Sequence, residues 1–506
     1  MTRKSPLIAV LLLLLAPLVV AAPAVTAGTA AAAQEPFDIV LAGGTVMDPE
    51  TELSAVRHVG IRGNRIEAIS EEALEGTQVI DVAGLIVAPG FVDMHAHGQS
   101  YEANVFQAHD GVTTALELEG GVGDVASFLE GREGDALVNY GASVSHGQLR
   151  IGVMPKYAEA LAAVSGNLGE EGELDDFFAL LGEAGYDAVD PASYGALKKL
   201  LHANLRAGGL GLGVPHQYYP GATHDEIFRV FQMAGEWYVP IYTHVRDMAV
   251  SAFQEVIANA AATGAPLHIV HINSMSLGHI GTTLDLIGGA QARGIDVSAE
   301  AYPYTAASTG LNSAIFDEGW QEKLGISYGD VQWEATGERL TEATFNEYRA
   351  AGGGTVIIHM MKPEWVEMWM KTPFVMIASD GMPYAPGAHP RSAGTFTRVL
   401  GRYAREQEML PLMEAISRMS FMPAKRLERF APSMARKGRL QVGMDADITV
   451  FDAGRVIDTA TFEDDLSKSE GVEYVLVNGV MVVHEGATVE GVFPGRPVLG
   501  RLYDGS

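Results

Sequence analysis

The spacing of apolar positions changes character twice along the chain. Phe37–Ala42 is a short apolar strand, Gly43-Gly44 reads as a turn, and Val59–Ile69 reads as a hairpin around Gly63-Asn64. The same short-strand pattern returns within 436–487, in Ala446–Phe451, Tyr474–Asn478 and Val480–His484. Between these ends, apolar runs of strand length occur at Ala142–Val144, Gly209–Gly213, Pro240–His244, Leu267–His271, Asp296–Glu300, Thr355–His359 and Phe374–Asp380. Helical stretches alternate with them at Ala158–Val164, Tyr194–Ala207, His224–Ala234, Ala249–Thr263 and Thr283–Arg293. That alternation predicts a parallel α/β sheet, and about eight repeats fit a closed (β/α)₈ TIM-type barrel. Residues 311–352 break the rhythm and predict an insertion at the barrel mouth, where long insertions often act as lids.

The N-terminus has a pattern of its own. Arg3 and Lys4 precede an apolar run, Ile8–Val20, broken by Pro17, and then a small-residue stretch, Ala21–Ala33. These are the three zones of a secretory signal peptide, expected over 1–33 with cleavage near Ala33–Gln34. A membrane anchor is the competing reading, but a spanning helix needs ~20 apolar residues. Export places the mature protein in the periplasm or outside the cell. The chain has no cysteine, which removes disulfides, thiol nucleophiles, thiolate ligands and a lipidated N-terminal cysteine. Any metal site must therefore use His, Asp and Glu. A hydrophobic content of 47% suits a large core, and the net charge of −29 argues against nucleic acid or an anionic membrane as partner. A small-molecule substrate fits, and a homo-oligomer stays open.

The candidate chemistry sits at strand ends. Pro89-Gly90-Phe91-Val92-Asp93 leads into His95-Ala96-His97. Residues i and i+2 of a strand share a face, so both histidines can reach one cation where barrel strands carry catalytic groups. Without that setting, His-x-His reads as two surface histidines after a turn. Glu117 and Glu119 lie in the apolar run Gly111–Gly121. A buried carboxylate is costly unless paired or bound to a cation. Glu119 is nearer the mouth and is the expected ligand, whereas Glu117 reads as half of an interior salt bridge. His244 and His271 end the next two histidine-bearing strands; His268 has the opposite parity and reads as structural. His146 is a mouth residue without an assigned role. Asp380 ends the run Phe374–Asp380, where a carboxylate can touch both a metal and its water; alone it would read as a helix cap.

Together these motifs resemble the amidohydrolase superfamily, whose fold is a (β/α)₈ barrel with a small β-sandwich built from both chain ends. On this chain that implies a sandwich from 34–88 and 436–506 and a barrel over 89–435. A closer resemblance, over essentially the whole mature chain, is to the N-acyl-D-amino-acid deacylases (D-aminoacylases). The pieces that carry it include Gly111-Val112-Thr113-Thr114, Ser145-His146-Gly147-Gln148-Leu149-Arg150, Tyr218-Tyr219-Pro220-Gly221, Tyr302-Pro303-Tyr304-Thr305-Ala306 and His389-Pro390-Arg391-Ser392-Ala393-Gly394-Thr395-Phe396. The resemblance implies metal ligation by His95, His97, His244, His271 and Asp380, with Asp380 also shuttling the proton. It implies that Tyr302, Ser308 and Arg391 hold the substrate carboxylate, and that the cofactor is one or two zinc ions or another divalent metal. Two positions depart from the family. Its bridging cysteine on the second strand is absent, with Glu119 next to the equivalent spot. Asn273 stands where the family has a lysine that binds the substrate carboxylate, and an amide cannot supply that charge. Lys156, a lysine near a strand end, is the one candidate for a carbamylated metal bridge.

The resulting expectation is a hydrolase that cleaves a linear amide C–N bond of an N-acyl-D-amino acid. Three other readings remain open at this point: a dipeptidase, cyclic-amide hydrolase or lactonase on the same barrel; a non-catalytic periplasmic metal-binding protein; and a structural barrel without metal. The export signal makes its own prediction. N-terminal sequencing of the secreted protein should begin between about Ala22 and Glu35, and a mature protein that starts at Met1 would refute it.

Overall fold

Eight parallel strands carry the middle of the chain and lie side by side in sequence order. They are Phe91–Asp93, Val112–Val122, Asn139–Ser145, Leu212–Gly213, Ile241–Thr243, Leu267–Ile269, Val297–Ala301 and Val375–Ile377, here the first to eighth barrel strands. The structure is a computed structural model that describes residues 35–163, 180, 182–463 and 466–505. The expected signal segment lies outside the described residues. All eight strands are buried along nearly their whole length, which is why they read as continuous apolar runs rather than alternating ones.

The first and eighth strands meet just beyond their ends. Ala96 bridges Gly381 in parallel, and His97 N donates to Gly381 O at 2.8 Å. Below that seam the Asp93 carboxylate accepts from His95 N at 3.0 Å, from Ser379 N at 3.1 Å and from the Ser379 hydroxyl. Burial raises the Asp93 pKa to about 6, against the pull of the Ser379 donors and His95.

Helices between the strands pack one apolar face inward. Tyr194–Arg206 buries Leu197, Leu201 and Leu205, four residues apart, while its other positions face out. His224–Trp237 starts where the Thr223 hydroxyl accepts from Glu226 N at 3.1 Å, an N-cap that satisfies an otherwise unpaired amide.

The chain ends build a second sheet of nine strands. Ile86–Pro89 is its hinge: it runs parallel to Phe37–Asp48 and antiparallel to Ile448–Phe451, with Ile86 opposite Phe451. The expected turn at Gly43-Gly44 is not a turn. The strand runs on through both glycines, and its register slips between Leu41 and Gly44. Gly43 has φ +77°, and a Cβ on Gly44 would lie 2.6 Å from Val87 Cγ2, so the bulge needs both residues to be glycine.

Thr355–His359 is also placed differently from expectation. Thr355–Ile358 pairs antiparallel with Ala307–Gly310 and with Val331–Trp333 in a separate three-stranded sheet. That sheet has its own core, which includes Trp320, Phe345, Val356 and Ile358. A short buried apolar run has no period that tells a barrel strand from a satellite strand. The inserted unit thus spans 307–358 rather than 311–352.

Because Asp93 holds the seam between first and last strands, Asp93→Ala should leave the buried His95 and Ser379 amides unpaired. The expected loss is about 2–4 kcal/mol, read as a lower urea midpoint with unchanged slope.

Candidate metal centre

Four histidines and two carboxylates converge at the mouth of the barrel. His95 and His97 follow the first strand, Glu119 lies on the second, and His244, His271 and Asp380 follow the fifth, sixth and eighth. One ligand atom from each of His95, His97, Glu119 and Asp380 lies within 4.8 Å of the others, and a second such set is Glu119, His244 and His271. Glu119 belongs to both. Its Oε2 is 3.2 Å from His95 Nε2 and 3.3 Å from His97 Nε2, while its Oε1 is 2.8 Å from His244 Nδ1 and 3.0 Å from His271 Nε2. One carboxylate therefore faces two histidine pairs, one oxygen to each.

The remaining ring nitrogens of three of these histidines are fixed from behind. A carboxylate or amide oxygen can only accept, so each facing nitrogen carries the proton and the other nitrogen presents a lone pair to the cluster. His95 Nδ1 donates to Glu300 Oε1 at 2.6 Å, His97 Nδ1 to Glu117 Oε2 at 2.7 Å, and His244 Nε2 to Gln217 Oε1 at 2.5 Å. His271 Nδ1 is buried without a partner among the described residues. Backbone conformation aims two further groups: His271 has φ +28° and Asp380 φ +52°. Such left-handed values in non-glycine residues cost energy and cluster at functional sites.

The electrostatics ask for a cation. Burial opposes charge on His95, yet Asp380, Glu300 and Glu119 hold its pKa well above the usual value. His97 is raised in the same way, against burial, by Glu117 and Asp380. Burial works against ionised Glu119 too, but His95, His244 and His271 hold its carboxyl well below the ordinary range. Asp380 is likewise lowered despite burial, by Arg391 first and then His95. Burial, with His271 beside it, instead lowers His244 to about 4, and a buried cluster that pulls protons onto His95 and His97 while keeping its carboxylates ionised is one whose field a divalent ion would satisfy. Imidazole nitrogens with carboxylate oxygens are a donor set that zinc accepts.

The other expected residues fall in three places. Tyr302 and Ser308 line the cavity over the cluster, which spans about 850 Å³ counting its opening to solvent, and their hydroxyls have no hydrogen-bond partner among the described residues. Arg391 is buried beside them: its Nη1 is 2.7 Å from Asp380 Oδ2 and its guanidinium stacks 4.6 Å over the Tyr302 ring. Asn273 is buried next to Tyr302, with Nδ2 donating to Tyr302 O at 3.1 Å and Oδ1 unpartnered among the described residues. His146 points away from the cluster, with Nδ1 3.1 Å from Tyr219 Oη and Nε2 3.3 Å from Glu226. His268 is structural, as its parity suggested, held between Ser298 and Glu300. Lys156 is 70% exposed and paired with Asp187, so it takes no part.

Glu117 is paired inside the barrel, but its partner is His97, so it acts on the cluster by orienting a histidine. Two residues escaped the sequence. Glu300 spans His95 and His268. Its signal was present, since a carboxylate inside an apolar strand is the same cue that marked Glu117 and Glu119. Gln217 has no such cue, because a loop glutamine is ordinary.

The chain's matches to known proteins agree with this geometry. Residues 170–483 match the Amidohydrolase family. Two curated proteins of Alcaligenes xylosoxydans xylosoxydans are similar over most of their length: an N-acyl-D-glutamate deacylase, 32% identical over 89% of this chain and 94% of its own, and a D-aminoacylase, 30% identical over 90% and 96%. This chain belongs to the amidohydrolase family. Among solved structures, N-acyl-D-glutamate deacylase from Bordetella bronchiseptica, complexed with zinc and a phosphonate inhibitor, superposes with a TM-score of 0.76 at 26% identity. That match covers 92% of this chain and all of the other. A D-aminoacylase structure described as having a binuclear metal centre superposes at 0.77 with 27% identity, again over 92% of this chain and all of the other. The barrel and the separate chain-end sheet are thus the amidohydrolase architecture.

The two carboxylates of the second strand should separate on mutation. Glu119→Ala should empty the site, because both histidine pairs lose their shared carboxylate. Glu117→Gln should weaken metal binding about 10–100-fold without abolishing it. Metal content after equilibrium dialysis distinguishes them, and equal loss in both would show that Glu119 is not shared.

Proposed function

We propose that this chain hydrolyses the amide bond of N-acyl-D-amino acids at a zinc site of one or two ions, with Glu119 as the shared ligand. The observation that carries the reading is Glu119 itself, one oxygen facing His95 and His97 and the other facing His244 and His271. Asp380 completes the first set, with Oδ1 at 3.3 Å from His95 Nε2 and 3.5 Å from His97 Nε2. The substrate class comes from the relatives, which are named for N-acyl-D-glutamate and D-amino acids.

Zinc bound by these residues supplies a Lewis acid for the amide carbonyl and a lowered pKa for water. The chain's own groups do the rest. Arg391 holds Asp380 through Oδ2, which keeps the carboxylate ionised and leaves Oδ1 directed at the cluster. From there Asp380 takes a proton as water attacks the carbonyl and returns it to the leaving nitrogen. The C–N bond breaks, a C–O bond forms, and the products are a carboxylate and an amine. Tyr302 and Ser308, whose hydroxyls on the cavity wall have no partner among the described residues, and Arg391 behind them receive the carboxylate of the amino-acid half. Retention of an Arg-held proton shuttle favours an enzyme over a metal store. We also propose that segment 1–33 is removed and that the enzyme works outside the cytoplasm, on the strength of its basic, apolar and small-residue zones.

Purified mature enzyme with zinc should hydrolyse N-acetyl-D-amino acids and leave the L-enantiomers largely intact. Chelation should remove activity and zinc should restore it. Asp380→Asn should lower kcat by at least ~10² while the histidines retain metal. Full turnover by the demetallated enzyme, or by Asp380→Asn, would overturn the mechanism.

A further inference from the structure

The charges around the metal cavity leave room for one substrate carboxylate. Even two divalent ions would be balanced by the carboxylates already at the cluster. Glu119 and Asp380 stand within it, Glu300 behind His95 and Glu117 behind His97. What remains is the guanidinium of Arg391, buried beside Tyr302 and paired with Asp380. We propose that this cavity selects an uncharged amino-acid side chain, so that N-acyl derivatives of D-glutamate and D-aspartate are poor substrates. The inference rests on the deacylase reading and adds to it the nature of the side chain on the amine half.

Among the described residues, no lysine or arginine lines the cavity. Residues 164–179, 181 and 464–465 stand outside the described set and include neither residue type, so none of them can supply a cation. Asn273, buried beside Tyr302, is a neutral amide. Two hydroxyls on the wall are already engaged: Ser274 donates to His271 O at 3.1 Å, and Thr309 to Tyr218 Oη at 3.2 Å. Arg391 already meets one carboxylate in Asp380, and the substrate's α-carboxylate is the second. A side-chain carboxylate would be a third. Taken out of water without a cation or donors, it is far more costly to hold than a neutral group of the same size.

Much of the remaining wall is apolar: Met248, Met275, Ile315, Ile358, Met360 and Met382. Four of these six are methionines, whose unbranched thioethers adapt to side chains of different shape. A carboxylate that reaches out past Met248 and Ile315 finds no better surroundings. The adjoining space carries Asp247, Asp317 and Glu322 against Arg246 and Lys323, and Arg246 is held by Glu255 at 2.9 Å. An acidic side chain thus meets apolar atoms inside the cavity and an excess of like charge outside it.

The test holds size constant and varies charge. It compares kcat/KM for N-acetyl-D-glutamine and N-acetyl-D-glutamate on the zinc-loaded enzyme, with N-acetyl-D-methionine as the apolar reference that reports whether each variant folds. The native enzyme should favour the glutamine substrate over the glutamate one at least ~10²-fold. Ile315→Lys and Met248→Lys change half-buried positions, where a lysine stem can lie along the wall. Each should supply the missing charge and raise the glutamate-to-glutamine ratio at least ~10-fold. A glutamate substrate turned over as well as the glutamine one, or a ratio that neither lysine moves, would overturn the selection and leave the deacylase reading intact. Hydrolysis of none of the three substrates would fell the deacylase reading, and this inference with it.

Discussion

The buried carboxylate of Glu119 is the constraint on which the rest of the site depends. An ionised group taken out of water and left without compensation costs several kcal/mol or more. Here the compensation comes from four imidazoles set in two pairs, and each pair is itself held by groups further out. Glu300 and Glu117 grip the rings of the first pair, and Gln217 grips one ring of the second. Remove the outer grip and a ring can rotate, its lone pair turns away, and the carboxylate loses the environment that keeps it charged. Strain at His271 and Asp380 belongs to the same construction. A left-handed backbone costs about 1–3 kcal/mol at each non-glycine residue, and a barrel of buried strands is rigid enough to hold two of them.

Rigidity also explains why the centre sits where it does. The clustered side chains come from the first, second, fifth, sixth and eighth strands, so no short segment carries the site. Strand ends provide precise placement because each is fixed by hydrogen bonds on both sides, and the loop beyond each end is free to turn a side chain inward. The insertion of residues 307–358 uses that freedom. It brings Ser308 and Ile315 over the cluster while folding around its own aromatic core, and the cavity gains a wall without any change to the barrel.

Much of this was legible in the sequence because burial leaves a strong signature on charged residues. Histidine and carboxylate at the ends of apolar runs marked His95, His97, Glu119, His244, His271 and Asp380, and the structure brings all six together. The eight-strand count was obscured by Thr355–His359, since a run buried on both faces looks the same in a barrel and in a satellite sheet. Gly43-Gly44 misled in another way: a glycine pair signals a turn and a bulge equally well until a partner strand is known. Gln217 and the stacking of Arg391 on Tyr302 were beyond reach for a simpler reason. Both depend on distances between segments far apart in the chain, and no local pattern records those distances.

The hinge strand Ile86–Pro89 carries a consequence for how the molecule comes into being. It pairs with Phe37–Asp48 from the start of the fold and with Ile448–Phe451 from near its end, while the Asp93 and Ser379 contact joins the first barrel strand to the last. Contacts that span nearly the whole chain form late, because loop closure must be completed before they contribute. A growing or partly folded chain therefore holds most of the histidines but lacks the eighth strand and the seam that positions Asp380. Asp380 thus meets the histidine cluster in one closing event, when the first and last strands join.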